Sequence, residues 1–156
     1  MNTPASAFVC VPDPANPGWN TWDLTDKGRF NDQVIGKLIV RREEGPASTP
    51  VARVRMVPEP RHSNMLNSIH GGLIMGFSDV VLFAAFHLLT DGDADGSVTL
   101  DMHHQFLAPG KIDEPLDGVA EVLRETGRLV FIRGLIEQGD HQVAAFSATL
   151  RKPTVR

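Results

Sequence analysis

The chain has 156 residues, which fits one domain of the usual roughly 100 to 200 residues and leaves no room for two. Apolar residues make up 42% and charged residues 22%, a soluble globular balance that excludes disorder, collagen-like repeats and a coiled coil. The net charge of −4 offers no basic stripe for counterion release, so nucleic acid is not an expected partner.

Residues 1–29 carry Pro4, Pro12, Pro14 and Pro17 with little periodicity, so an irregular, Pro-rich amino-terminal arm docked through Trp19 and Trp22 is expected ahead of a single domain over 30–156. Cys10 is the sole cysteine and has no basic neighbour in sequence, which predicts an inert thiol. No disulfide is possible within the chain, and Met1-Asn2-Thr3-Pro4 lacks the regions of a signal peptide, so the expected location is cytoplasmic. Val34–Val40 and Pro50–Val57 are short, β-branched runs joined through Glu44-Gly45-Pro46, and read as two strands.

Ile69 to Leu89 is almost continuously apolar and long enough for a membrane span. Asp79 would sit at its middle, where a charge costs about 2.5 to 3.5 kcal/mol, and no Lys or Arg lies between Arg61 and Lys111. A helix buried in protein on all sides is therefore expected, opening at Gly71-Gly72 and ending near Thr90-Asp91-Gly92, with no membrane partner. From Ser97 to Leu150 the period changes to two, predicting strands near 97–108, 117–126, 129–138 and 141–151. On the first of these, strict alternation puts Val98, Leu100, Met102, His104 and Phe106 on one face, and Thr99, Asp101, His103 and Gln105 on the other. A single helix apolar all round needs a cover on every side. One curved antiparallel sheet wrapped about it, with a second copy closing the open side, would supply that: an α+β hotdog outline.

Most candidate motifs fail on detail. Asp91-Gly92-Asp93-Ala94-Asp95-Gly96 begins like a calcium loop, but the twelfth position is Met102 and a strand follows, so an acidic turn is expected. Gly76-Phe77-Ser78-Asp79-Val80 begins like a nucleophile elbow but lies within a helix and lacks the second glycine, so Ser78 reads as a hydroxyl bonded back to a carbonyl. No histidine pair has zinc-ligand spacing, and no metal is expected. Asp79 stands apart, because a carboxylate in a buried helix is costly unless paired, coordinated or used. His70-Gly71-Gly72 opens the same helix and presents backbone N–H groups at the positive end of its dipole, where a developing oxyanion is stabilised.

The string Asn64-Met65-Leu66-Asn67-Ser68-Ile69-His70-Gly71-Gly72, followed by Asp79 nine residues after His70, resembles the signature of hotdog-fold acyl-CoA thioesterases of the phenylacetate-pathway (PaaI) type. The similarity runs from about Phe30 to Lys152 and includes Phe106-Leu107-Ala108-Pro109. Asn67 departs from the glycine common in relatives, and the arm has no counterpart in the signature. The resemblance implies Asp79 as general base or nucleophile, Gly71 N–H as oxyanion donor, Asn64 as a positioner of water or carboxylate, Thr99 as orienter of the water, and His70 as polariser of the carbonyl or brace of the loop. It further implies a site shared between subunits, hence a homodimer or a dimer of dimers, acting on an acyl- or aryl-acyl-CoA with no cofactor beyond the coenzyme A of the substrate itself. The residues agree: nine steps of about 100° along one helix are expected to put the Gly71-Gly72 turn and Asp79 on opposite sides, so they converge only with a second copy. Gly72 is expected to contact substrate, and Arg128 and Lys111, beside glycine-bearing turns, to hold its phosphates. The alternative is a catalytically idle hotdog module that binds acyl-CoA or another hydrophobic ligand.

Overall fold

The computed structural model describes residues 8–92 and 94–153. In chain order its strands are β1 (Phe8–Val9), β2 (Asn20–Thr21), β3 (Asp23–Leu24), β4 (Ile39–Glu44) and β5 (Pro50–Met56). Then come the helix α1 (Gly71–Leu89) and the strands β6 (Val98–Phe106), β7 (Leu116–Glu125), β8 (Leu129–Gln138) and β9 (His141–Arg151). Seven strands form one antiparallel sheet in the order β2-β4-β5-β7-β8-β9-β6. The helix packs against β4 to β9, which is the expected α+β hotdog arrangement of one long helix on a curved sheet. Gly118 on β7 permits the closest approach: a Cβ there would fall 2.3 Å from a Val81 methyl of α1.

Three expectations need correction. The first strand starts at Ile39, not Val34. Asn31–Ile35 form a single helical turn instead, because Gly36 adopts a left-handed φ of 93° and ends the turn by donating its N–H to the Asn31 carbonyl at 2.8 Å. The β-branched pair Val34-Ile35 misled because Ile35 is buried from a helical turn as fully as from a strand. The arm is also more ordered than its prolines suggest. Its β2 extends the large sheet beside β4, β1 pairs with β3, and Trp22 joins the main hydrophobic core, while Trp19 lies beneath the guanidinium groups of Arg41 and Arg55 at 4.1 and 4.9 Å.

The third correction concerns the helix. By length and composition it is apolar enough to cross a bilayer, yet its buried residues, among them Phe77, Val81, Leu82 and Phe86, meet the chain's own sheet. It is not covered all round. Gly72, Gly76, Asp79, Phe83 and His87, spaced by three or four residues, form with Met75 one exposed or half-buried stripe. Strand β6, at the sheet edge, runs beside the helix and supplies side chains to the site. Of the acidic turn after the helix, Asp93 lies outside the described residues.

Candidate active site

Asp79 is half-buried on the helix stripe, and its Oδ1 accepts a hydrogen bond from the Thr99 hydroxyl at 2.7 Å. Strict alternation along β6 would turn Thr99 away from the helix. A bulge reverses this: Thr99 pairs with Leu150 and Asp101 with Thr149, so Leu100 has no opposite residue, and Thr99 returns to the face of Met102 and His104. One inserted residue thus brings the hydroxyl to the carboxylate.

The loop before the helix is held by side-chain bonds. Asn64 Oδ1 accepts from Leu66 N at 2.9 Å, Ser68 N at 3.2 Å and Ser68 Oγ at 3.2 Å, which is the local turn-forming habit of an Asx residue. Asn67 stands at φ 57°, a left-handed conformation that asparagine tolerates far better than most residues, so the departure from glycine keeps the turn. Main-chain bonds tie His70 N to His62 O at 2.8 Å and Ile69 N to Gly110 O at 2.9 Å. His70 is the N-cap of α1, and its Nδ1 accepts the Gly72 N–H at 2.9 Å. The ring therefore carries its proton on Nε2 and braces the helix start. Gly72 N–H is spent on this bond and is not open to a substrate. Gly71 N–H has no acceptor among the described residues and points from the first turn of the dipole. Phe106 packs on it; a Cβ at Gly71 would lie 3.2 Å from that ring.

Gly71 and Asp79 do not meet within one chain, but not for the reason of opposite faces. The helix starts at Gly71, eight residues before Asp79, a rotation of about 80°. Gly72 and Asp79 even share the exposed stripe. The separation is axial: eight residues rise about 12 Å, so the two groups can act on one carbonyl only if they come from two copies.

Ser78 and His104 form a pair that motif reading missed. Ser78 Oγ donates to Ile74 O at 2.8 Å, so its contact with His104 Nε2 at 3.1 Å has the imidazole as donor. That leaves His104 Nδ1 as a bare acceptor, buried and unpartnered among the described residues. Burial, and then the neighbouring His103, lower the His104 pKa, and the ring lies tilted against Phe106 with centroids 4.7 Å apart. Placing His104 on the helix-facing side of β6 was possible from alternation; its partner was not.

Arg128 and Lys111 are not brought together. Lys111 flanks the loop before the helix through a bridge to Ser68 and pairs with Glu114 at 3.3 Å, whereas Arg128 lies exposed beyond the far end of β7, about 30 Å along the strand direction. No three His, Cys, Asp or Glu side chains group as metal ligands among the described residues. A concavity of about 950 Å³ lies on the other face of the sheet around Arg53, Arg133 and His103. Its arginines are engaged by Glu43, Asp117 and Glu137 (Arg53) and Glu121 (Arg133), which makes it a charged outer surface and not a reaction centre.

The site thus combines, on a hotdog scaffold, a half-buried helix carboxylate with a hydroxyl partner and a capped helix start whose first N–H has no acceptor among the described residues. The profile of the thioesterase superfamily matches residues 66–145. Human acyl-coenzyme A thioesterase 13 is 30% identical over 107 residues, 67% of this chain and 71% of the relative. Among solved structures, zebra fish thioesterase superfamily member 2 superposes with a TM-score of 0.64 at 22% identity over 78% of this chain and 86% of the other. The E. coli PaaI protein of the phenylacetic acid degradation operon does so at 0.58 and 21% identity, over 67% and 73%; both show the fold. The chain belongs to the thioesterase superfamily, and so to the thioester hydrolases.

Proposed function

We propose that the protein hydrolyses acyl-CoA thioesters to the free acid and coenzyme A at a site shared by two copies. The Thr99–Asp79 hydrogen bond carries this reading. With Oδ1 held by Thr99, the second carboxylate oxygen is left to take a proton, and the Thr99 oxygen keeps a lone pair that can accept from the same water. Gly71 N–H of one copy binds the thioester carbonyl oxygen while Asp79 of the other removes a proton from water. The water oxygen bonds to the carbonyl carbon, and the charge that develops on oxygen is stabilised by the Gly71 N–H and the helix dipole. The tetrahedral adduct collapses, the C–S bond breaks, and the thiolate of coenzyme A leaves with the proton returned from Asp79. Asn64 and His70 act at one remove by fixing the loop that aims Gly71. Arg128 is an exposed cation free to meet the phosphates, and Lys111 is paired with Glu114.

The test is hydrolysis of a panel of acyl-CoAs by the wild type and by Asp79→Asn, which is near-isosteric, keeps a carbonyl acceptor for Thr99, and cannot act as base. Turnover should fall at least about a hundredfold with the fold intact. Wild-type rates in a folded Asp79→Asn protein would remove Asp79 from the chemistry.

A further inference from the structure

Beside Asp79 lies a pocket of about 160 Å³ bounded by Phe8, Trp22, Leu24, Asn31, Val80 and Phe83. Four of these six come from the segment ahead of β4, which the family profile does not cover. They are fixed in place and not merely draped over the helix. Trp22 is only 3% exposed, stacks on Phe8 with centroids 4.9 Å apart, and meets His87 of the helix edge-on at 5.4 Å. Phe30 lies against Gly76, where a Cβ would come within 3.0 Å of its ring, so the same segment covers the helix stripe one turn before Asp79.

We propose that this pocket receives the acyl group and that the amino-terminal segment sets its size limit, selecting compact acyl groups, a ring or a short branched chain, over long linear ones. The inference rests on the reading of Asp79 as the base. The carbon that water attacks must sit next to Asp79, and the acyl substituent is bonded directly to that carbon, so it starts at the mouth of this pocket. At roughly 30 Å³ for each water-sized group, the space holds about five or six methylene-sized groups. Apart from Asn31 and the Asp79 carboxylate its walls are aromatic and apolar, suited to a planar ring or a branched chain. A longer chain would have to displace Trp22, which belongs to the main core. Substrate selectivity would then be set by a segment outside the part of the chain that defines the family.

The experiment compares kcat/KM for acetyl-, benzoyl- and palmitoyl-CoA in the full chain and in two variants that change the pocket in opposite directions, Leu24→Phe, which fills it, and Phe83→Ala, which enlarges it. Circular dichroism and sedimentation check fold and assembly. The wild type should favour benzoyl over palmitoyl by at least tenfold. Leu24→Phe should lower the benzoyl-to-acetyl ratio at least tenfold, and Phe83→Ala should raise the palmitoyl-to-benzoyl ratio by a similar factor. Ratios unchanged within twofold in the folded variants, with hydrolysis retained, would overturn the pocket assignment and leave the catalytic reading standing; so would unchanged ratios with an altered sedimentation coefficient, which would make the pocket a seat for a second copy. If the wild type hydrolyses none of the three, the catalytic reading fails, and calorimetry decides the pocket on its own. Benzoyl-CoA bound at least tenfold tighter than free coenzyme A, with the difference lost in Leu24→Phe, supports it; equal affinity overturns it.

Discussion

Replacing Gly71 separates the oxyanion donor from everything else that residue does. Proline at the first helical position removes a single N–H, the one without an acceptor, and costs no helical hydrogen bond. His70 has φ −64° and ψ 133°, the extended conformation that a residue before proline prefers. The steric side effect is predictable too, since any Cβ at Gly71 approaches the Phe106 ring to 3.2 Å. Gly71→Ala imposes that same contact and keeps the N–H. The difference between the two variants therefore isolates the donor, and losing one oxyanion donor costs about 2.7 to 4 kcal/mol of transition-state stabilisation, a 10² to 10³-fold drop in kcat. Steady-state kinetics on a hydrolysed acyl-CoA should show Gly71→Ala within about tenfold of the wild type and Gly71→Pro lower than Gly71→Ala by at least about a hundredfold in kcat, with KM moved far less. Equal kcat values in the two folded variants would refute the assignment of Gly71 N–H as the oxyanion donor.

If the site is shared, Asp79→Asn and Gly71→Pro should complement each other: random mixing of the two inactive proteins makes half the dimers mixed, each with one intact site, so about a quarter of wild-type activity returns. No recovery after verified subunit exchange would place both groups in one chain. His104 has a lowered native pKa, so the unfolded chain takes up its proton first; stability is full above the unfolded value of about 6.5 and is lost as pH falls through the lower native value. His104→Gln, which keeps a donor for Ser78, should reduce that loss in denaturant midpoints measured from pH 8 to 5, and parallel profiles would contradict it. Gly118→Ala forces a methyl to within 2.3 Å of Val81 and should destabilise by about 1 to 3 kcal/mol in chemical denaturation, whereas an unchanged midpoint would show that helix and sheet can separate at no cost.

Much of the scaffold was legible because its signals are strong and local. Nineteen helical residues interrupted by one carboxylate, and four later strands separated by glycine-bearing turns, leave few alternatives. The first strand was misplaced because β-branched residues report burial more directly than conformation, and only Gly36 marked where the chain turned. At the site, Asp79 and Gly71 were named from sequence, but the state of their neighbours depends on bonds that spacing does not encode. His70 proves to be a cap that occupies Gly72, and Asn64 spends its carboxamide oxygen on the loop. Thr99 is the clearest case. Alternation and family likeness disagreed about its face, and the bulge at Leu100 reconciles them. Bulges arise from pairing with a distant strand, here β9, so no local pattern foretells them.

On the proposed reading, the arrangement of the helix gives a reason for the reacting groups to be divided between copies. The oxyanion donor proposed here is a backbone N–H of the helix, and within a helix only the first turn leaves such groups unpaired. A base with a defined orientation is better held within the helix, against a neighbouring strand, as Asp79 is by Thr99. On one straight helix those two requirements are about 12 Å apart, too far for a single carbonyl. Two antiparallel helices overlapped only over their first halves would remove the conflict, because the N-terminus of each would then lie level with the middle of the other. Gly72, exposed in the first turn, leaves room for such an approach, whereas Gly76 one turn on is already covered by Phe30 of the same chain. Met65 and Leu66, 100% and 85% exposed at the tip of the loop that aims Gly71, are apolar side chains left without cover in a single chain. Their burial would go with completion of the site, so Met65→Ser combined with Leu66→Ser should weaken dimerisation and activity together. Sedimentation equilibrium and kcat measured over the same protein concentrations should move in step; full activity in a sedimenting monomer would refute the division of the site.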